Sequence, residues 1–199
     1  MKTLTLKLLA LVTMMAAALP QVACAPAETT KAKTEADAMR REATGERLEA
    51  VGDRAAQLGD LTRAEQYYTA ALNVGAQEAR PRERQLSQKL IAVCAEDGRY
   101  PAAIQYANDY LSKHPDDVEI RFALAALYAA IGDADLARAG FERVVALRPA
   151  HAEAHFALGS ILNDKGDAKA EEHLRAYLTL QPKGTYAESA RAALLRSAQ

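Results

Sequence analysis

Ile131-Gly132-Asp133-Ala134-Asp135-Leu136-Ala137 (IGDADLA) is the stretch whose reading decides the fold. Before it stand Phe122, Leu124, Leu127 and Tyr128; after it come Phe141, Val144, Val145 and Leu147. Both sets have helical spacing, so the Gly-Asp pair reads as a tight turn between two amphipathic helices. The turn recurs as DGRYPAA at Asp97–Ala103 and GDAKA at Gly166–Ala170, which places Gly98, Gly132 and Gly166 34 residues apart. Pro115, Pro149 and Pro182 follow at intervals of 34 and 33 residues. A fixed period of this length marks an array of helix–turn–helix repeats. One such repeat cannot bury its apolar face alone; it stacks on its neighbours and leaves an extended concave surface free for binding.

An earlier copy precedes these three. Gly59-Asp60 in QLGDLTRAEQYY has the same form, and Gly98 follows 39 residues later. The surplus fits GAQEARPRER at Gly75–Arg84, where Pro81 suggests a longer connecting turn. Four repeats result: Gly45–Glu78, Arg84–Asp117, Val118–His151 and Ala152–Gly184. Ala64, Ala103, Ala137 and Ala170 recur where paired helices must come close, and Asp60, Asp133 and Asp167 suit the start of each second helix, where a side-chain oxygen can accept an orphan backbone N–H. The last stretch, 185–199, places Tyr186, Ala190, Ala193 and Leu194 on one helical face and reads as a capping helix. The expected fold class is all-α, and the repeat block is long enough to bury a continuous core.

These residues resemble the tetratricopeptide repeat family over Gly45–Gly184. The fourth repeat matches through His155, Leu158-Gly159, Leu162, Ala170, Leu174 and Pro182, and the third through Leu124-Ala125, Tyr128, Ala137, Phe141 and Pro149. The second offers Leu90-Ile91, Cys94, Ala103, Ala107 and Pro115; the first offers Val51-Gly52, Ala55, Ala64, Tyr68 and Ala71. The departures are the missing opening aromatic in every repeat, the missing closing proline in the first and a turn one residue shorter in the fourth. The resemblance implies a right-handed superhelical solenoid whose groove is lined by the first helix of each repeat. Carried over, that surface includes Glu49, Asp53, Gln85, Gln88, Phe122, Phe156 and Asn163. Glu49 and Asp53 make its N-terminal end acidic, which favours basic or neutral partner segments. Phe122 and Phe156 hold equivalent places and offer either an apolar ledge or rings packed on neighbouring helices. The family's chaperone-docking branch needs Lys and Asn where Glu49 and Asp53 stand, so that specificity is excluded on charge.

The N-terminus reads as an export signal. Lys2 and Lys7 precede an apolar run, Leu8–Leu19, too short to cross a bilayer. The expected layout is a signal peptide at 1–23, a tether at 24–44 whose later part, from Thr34, can be helical, the repeats at 45–184 and the cap at 185–199. Two processing sites compete. Val22-Ala23-Cys24 resembles a bacterial lipobox, with Gln21 in place of the usual aliphatic residue, and makes Cys24 a lipidation candidate. Ala25-Pro26-Ala27 offers ordinary cleavage after Ala27. Lipidation with Ala25 next to the cysteine implies delivery to the outer membrane, facing the periplasm. The overall layout resembles small envelope lipoproteins that assist pilus or secretin assembly; a soluble periplasmic regulator that recruits cell-wall enzymes is the alternative.

Chemistry is sparse elsewhere. His151-Ala-Glu153-Ala-His155 puts two imidazoles on one helix face, but Glu153 is misplaced for a zincin and no third ligand is near in sequence. No nucleophile motif, phosphate loop or haem motif is present, so neither enzyme activity nor a cofactor is expected. With 25 basic residues dispersed among 26 acidic ones, the chain has no stripe for a phosphate backbone. Cys94 fills the slot of Tyr128 and Leu162 and reads as a buried apolar residue. The expected partners are other envelope proteins, with no nucleic acid, no small-molecule substrate and membrane contact only through a lipid on Cys24.

Overall fold

The computed structural model describes residues 27–75 and 80–197. The signal segment, Cys24 and most of the cleavage region lie outside the described residues, as does 76–79 within the insertion. Among the described residues there are nine helices and no strand. The first is α1 (Ala27–Gln57), followed by α2 (Leu61–Gly75), α3 (Arg80–Glu96), α4 (Tyr100–Lys113) and α5 (Val118–Ala130). Then come α6 (Ala134–Leu147), α7 (Ala152–Asp164), α8 (Lys169–Leu180) and α9 (Ala187–Ser197). The chain divides into two compact units, 1–40 and 41–199. Of the first, the described part is the beginning of α1, where Thr34, Glu35, Met39 and Arg40 are exposed and Arg40 pairs with Asp37 at 3.8 Å. In the second, helices pair in succession into an all-α repeat solenoid.

Two elements begin earlier than periodicity suggests. The first helix starts at Ala27 rather than near Thr34, because residues 27–44 are rich in Ala, Glu, Lys and Arg, all good helix formers. Pro81 lies in the first turn of α3 rather than in a connecting turn. A proline is tolerated there because the first backbone N–H groups of a helix have no intrahelical acceptor.

The turns work as their residues dictate. Gly59, Gly98, Gly132 and Gly166 have φ of 77°, 74°, 82° and 69°, the left-handed region that an L side chain resists. Asp60 then accepts from the Arg63 N–H at 3.0 Å, Asp133 from Leu136 at 3.1 Å and Asp167 from Lys169 at 2.9 Å. In the second repeat Arg99 replaces the aspartate and makes no cap; its guanidinium bonds Asp97 and Glu65 instead, the latter on the preceding repeat. Gly132→Ala is expected to lose about 1–2 kcal/mol through the left-handed backbone alone, since open space surrounds that position. Urea unfolding followed by CD checks this; an unchanged midpoint would refute it.

Close helix approach sets the core. Ala64, Ala103, Ala137 and Ala170 are all buried. At the crossing of each helix pair one partner is small. Gly52 on α1 faces Tyr68, Ala125 on α5 faces Gly140, and Gly159 on α7 faces Leu174. The second repeat reverses the sizes, with Ile91 on α3 and Ala107 on α4 buried in the same cluster. A further device closes each of the last three repeats. A first-turn glutamate of the first helix reaches the residue that caps the second helix: Glu83 to His114 at 2.9 Å, Glu119 to Arg148, and Glu153 to Gln181 at 3.0 Å.

Candidate functional site

The exposed sides of α1, α3, α5 and α7 carry the residues singled out from sequence. Between α3 and α5 lies an open recess of about 470 Å³, large enough for a few side chains. Its lining is Gln88, Ile91, Ala92, Ala95, Tyr100, Ala123, Ala126, Leu127 and Ala130. Ile91 and Leu127 are buried at its base, while Ala92, Ala126 and Ala130 are exposed on its floor. It forms because these positions are alanine where a longer side chain would fill the space between neighbouring first helices. Gln88, expected in the groove, stands at its edge.

The acidic end has a different character from the one its residues suggest. Glu49 and Asp53 lie one turn apart on α1, and Lys89 of α3 reaches both, at 2.8 Å and 2.5 Å. Gln85 donates to Glu49 at 3.0 Å, Arg82 lies 3.7 Å from it, and the Tyr68 hydroxyl donates to Asp53 at 2.8 Å. Burial pushes the Asp53 carboxyl up, but the bonds from Lys89 and Tyr68 and the lysine charge outweigh it and hold it below the ordinary carboxylate range. Burial likewise pulls Lys89 down, and its two carboxylate partners more than restore it, so its ammonium is held above its usual value. The acids are therefore neutralised within the repeat stack, and Glu49, Asp53 and Gln85 join two repeats rather than wait for a basic partner. Sequence shows the pieces, Glu49/Asp53 and Gln85/Lys89 each at i, i+4, but not that the two faces meet.

Lys89→Met is expected to destabilise by about 1–3 kcal/mol, the low end reflecting solvent screening at Asp53, whose side chain is 42% exposed. The sign with pH is fixed by Asp53. Its lowered folded value makes the contribution full above the ordinary aspartate value of 3.8 and lost as pH falls through the lower folded value. Adding Glu49→Gln and Asp53→Asn to Lys89→Met should recover most of the loss. No recovery would show that Lys89 acts by packing instead.

Phe122 and Phe156 are half-buried and packed. Phe122 stacks on His151, with centroids 4.7 Å apart, and tilts against Phe141 at 5.4 Å. Phe156 stacks on Tyr186 at 4.4 Å and touches Tyr177 at 5.4 Å. Each ring is packed on one side by its own neighbours, and Phe122 also lines an open recess with Glu119, Arg148 and Glu153, so packing and partial exposure coexist. Asn163, half-buried, lines a separate recess with Gly166, Asp167 and Arg196.

The histidine motif is structural. His151 caps α7 by accepting from the Ala154 N–H at 3.3 Å, and His155 is buried against His173 and the Pro149 carbonyl. Cys94 is fully buried, and burial together with the nearby Glu65 pushes its thiol up to about 11, an inert state at neutral pH. Glu65 itself accepts from Arg99 at 2.6 Å and from the Tyr106 hydroxyl at 2.9 Å, another tie between the first two repeats. No described helix is long and apolar enough to cross a membrane.

Comparison with known proteins agrees with the architecture. Two family models, both described as tetratricopeptide repeat, match residues 50–118 and 95–161. Among solved structures, a tetratricopeptide repeat protein from Parabacteroides merdae is 23% identical with a TM-score of 0.68; the match covers 78% of this chain and 60% of that one. A MamA protein is 19% identical, with a TM-score of 0.62, covering 77% of this chain and 90% of its own. MamA from Desulfovibrio magneticus, from residue 41 onward, is 24% identical with a TM-score of 0.58, covering 71% and 77%. At these identities the likeness is one of fold. No curated protein matches the chain.

Proposed function

Since this chain belongs to the tetratricopeptide repeat family, a family of protein-binding scaffolds, we propose that it holds a partner segment in the groove between its first helices, as an adaptor of the bacterial cell envelope. The observation that carries this reading is the alanine-floored recess between α3 and α5. Methyl groups on the floor let a partner backbone approach closely, and Ile91, Tyr100 and Leu127 supply apolar surface for an anchoring side chain. Apolar burial there is the favourable contribution, about 25 cal/mol per Å² before the costs of association are met. The neutralised acids at the N-terminal end leave little charge to select against an uncharged segment. We assign the chain no catalytic role.

The envelope part of the proposal rests on the leader-like residues 1–23 and on Cys24, and the choice of machine, a pilus or secretin under assembly, rests on layout. Ala126→Arg tests the groove. It places a long charged side chain on an exposed helix position, so helical CD should persist while crosslinked partners captured from the envelope are lost. Capture unchanged by Ala126→Arg would move the binding surface elsewhere. Recovery of cell-wall enzymes rather than pilus or secretin subunits would favour the periplasmic regulator. Fractionation tests the anchor separately: Cys24→Ser should shift the protein from membrane to soluble fraction, and an unchanged distribution would refute lipidation.

A further inference from the structure

Of the four histidines in the chain, His155 and His173 lie in the fourth repeat and His151 immediately precedes it. His155 Nε2 is 3.0 Å from the Pro149 carbonyl oxygen, which can only accept, so this nitrogen carries a proton and donates. His155 Nδ1 is 3.0 Å from His173 Nδ1. With one proton between them, His173 donates and His155 accepts; the two rings tie α7 to α8. This bond survives a first added proton, which goes to the remaining nitrogen of His173. It cannot survive a second, because both facing nitrogens would then carry hydrogen. His151 also uses its Nδ1 lone pair as an acceptor, in the cap of α7.

We propose that the His155–His173 pair is an acid-sensitive latch that releases α8 and α9 from the rest of the array. What it would release is coherent. Leu174 and Tyr177 of α8 and Ala187, Ala190 and Ala193 of α9 form one core cluster, shared with Ala152 of α7. Opening frees both facing nitrogens, so the open state can hold a proton that the closed pair cannot. The groups facing the pair set its balance. Burial, with His155 and Lys169, opposes charge on His173 and holds its ring below the ordinary value, although Glu172 of α8 and Glu142 of α6 favour charge. Arg138 and Asp167 line a recess together with His173, Glu142 and Lys169. His114 in the second repeat offers the contrast, since its partner is the Glu83 carboxylate and a charged ring keeps that bond. Opening would also part Phe156 of α7 from Tyr186, on which it stacks, and from Tyr177, which it touches.

Native-state hydrogen exchange on the full chain tests this. The readout is the exchange rate of α8–α9 amides divided by that of α2 amides in the same sample, which cancels the intrinsic pH dependence. For each extra proton bound by the open state this ratio rises by up to about tenfold per pH unit as the solution is acidified from pH 6.5 to 5. His155→Gln keeps one donor and one acceptor without titrating, and should flatten the ratio. His155→Phe, an aromatic of similar size, should do the same if the glutamine variant fails to fold. A ratio constant with pH in the wild type, or an equal rise in a folded non-titrating variant, would overturn the latch.

Discussion

Gly159→Val is expected to destabilise the C-terminal repeat on the order of 3 kcal/mol, the upper range for forcing atoms into a filled core. A Cβ at position 159 already lies 2.9 Å from Leu174 Cγ and 3.1 Å from the Leu174 backbone nitrogen. Neither atom is the movable end of a side chain. Leu174 is fully buried, so the only relief is separation of α7 from α8. Alanine at the same position should cost less, because its better helix propensity, worth about 1 kcal/mol, offsets part of the overlap. Valine adds two more carbons and a stiff χ1 without that compensation. Guanidinium unfolding of the two variants measures the difference. A second test is coupling: Leu174→Ala should rescue part of the valine defect, giving a non-additive cycle. A Gly159→Val protein as stable as the wild type would mean that the two helices are not in contact at this crossing.

Tyr177→Ala carries the other large effect, about 3–5 kcal/mol, the range for deleting a buried aromatic. Tyr177 is fully buried, its ring contacts Phe156 and Tyr186, and its hydroxyl accepts the Tyr186 N–H at 2.9 Å. That bond ties the segment before α9 to α8. Tyr177→Phe keeps the ring and loses only the acceptor, so its loss should be near 1 kcal/mol. Because each repeat contacts mainly its neighbours, the alanine variant should fray α8 and α9 while α2–α5 hold. Region-resolved hydrogen exchange distinguishes this from global unfolding. Equal losses for the phenylalanine and alanine variants would show that the hydroxyl, not the ring, anchors the cap.

The array was legible because its signals are local. A glycine at left-handed φ and the aspartate after it need only their own backbone, so Gly132-Asp133 and Gly59-Asp60 declare their turns without knowledge of the rest. The small residues at Ala64, Ala103, Ala137 and Ala170 follow the same period, and each is buried where helices close on one another. Sequence also placed Gln88 on the first-helix face, though the alanine-floored recess that it lines depends on the spacing of α3 and α5.

The groove's chemistry was less legible. Glu49 and Asp53 read as free acids until Lys89, on the next repeat, is brought to within hydrogen-bonding distance. Phe122 and Phe156 hold matching register, yet His151 and Tyr186 stack on one face of each because each connecting segment turns back over its own repeat. His155 and His173 are 18 residues apart and meet only when α7 pairs with α8. The sequence by itself determined the repeat period, the turn chemistry and the helix pairing, since these follow from backbone conformation and short-range periodicity. Tertiary structure alone decided which charges are spent, which rings are covered and where an apolar floor stays open, because those depend on distances between repeats that no single repeat encodes.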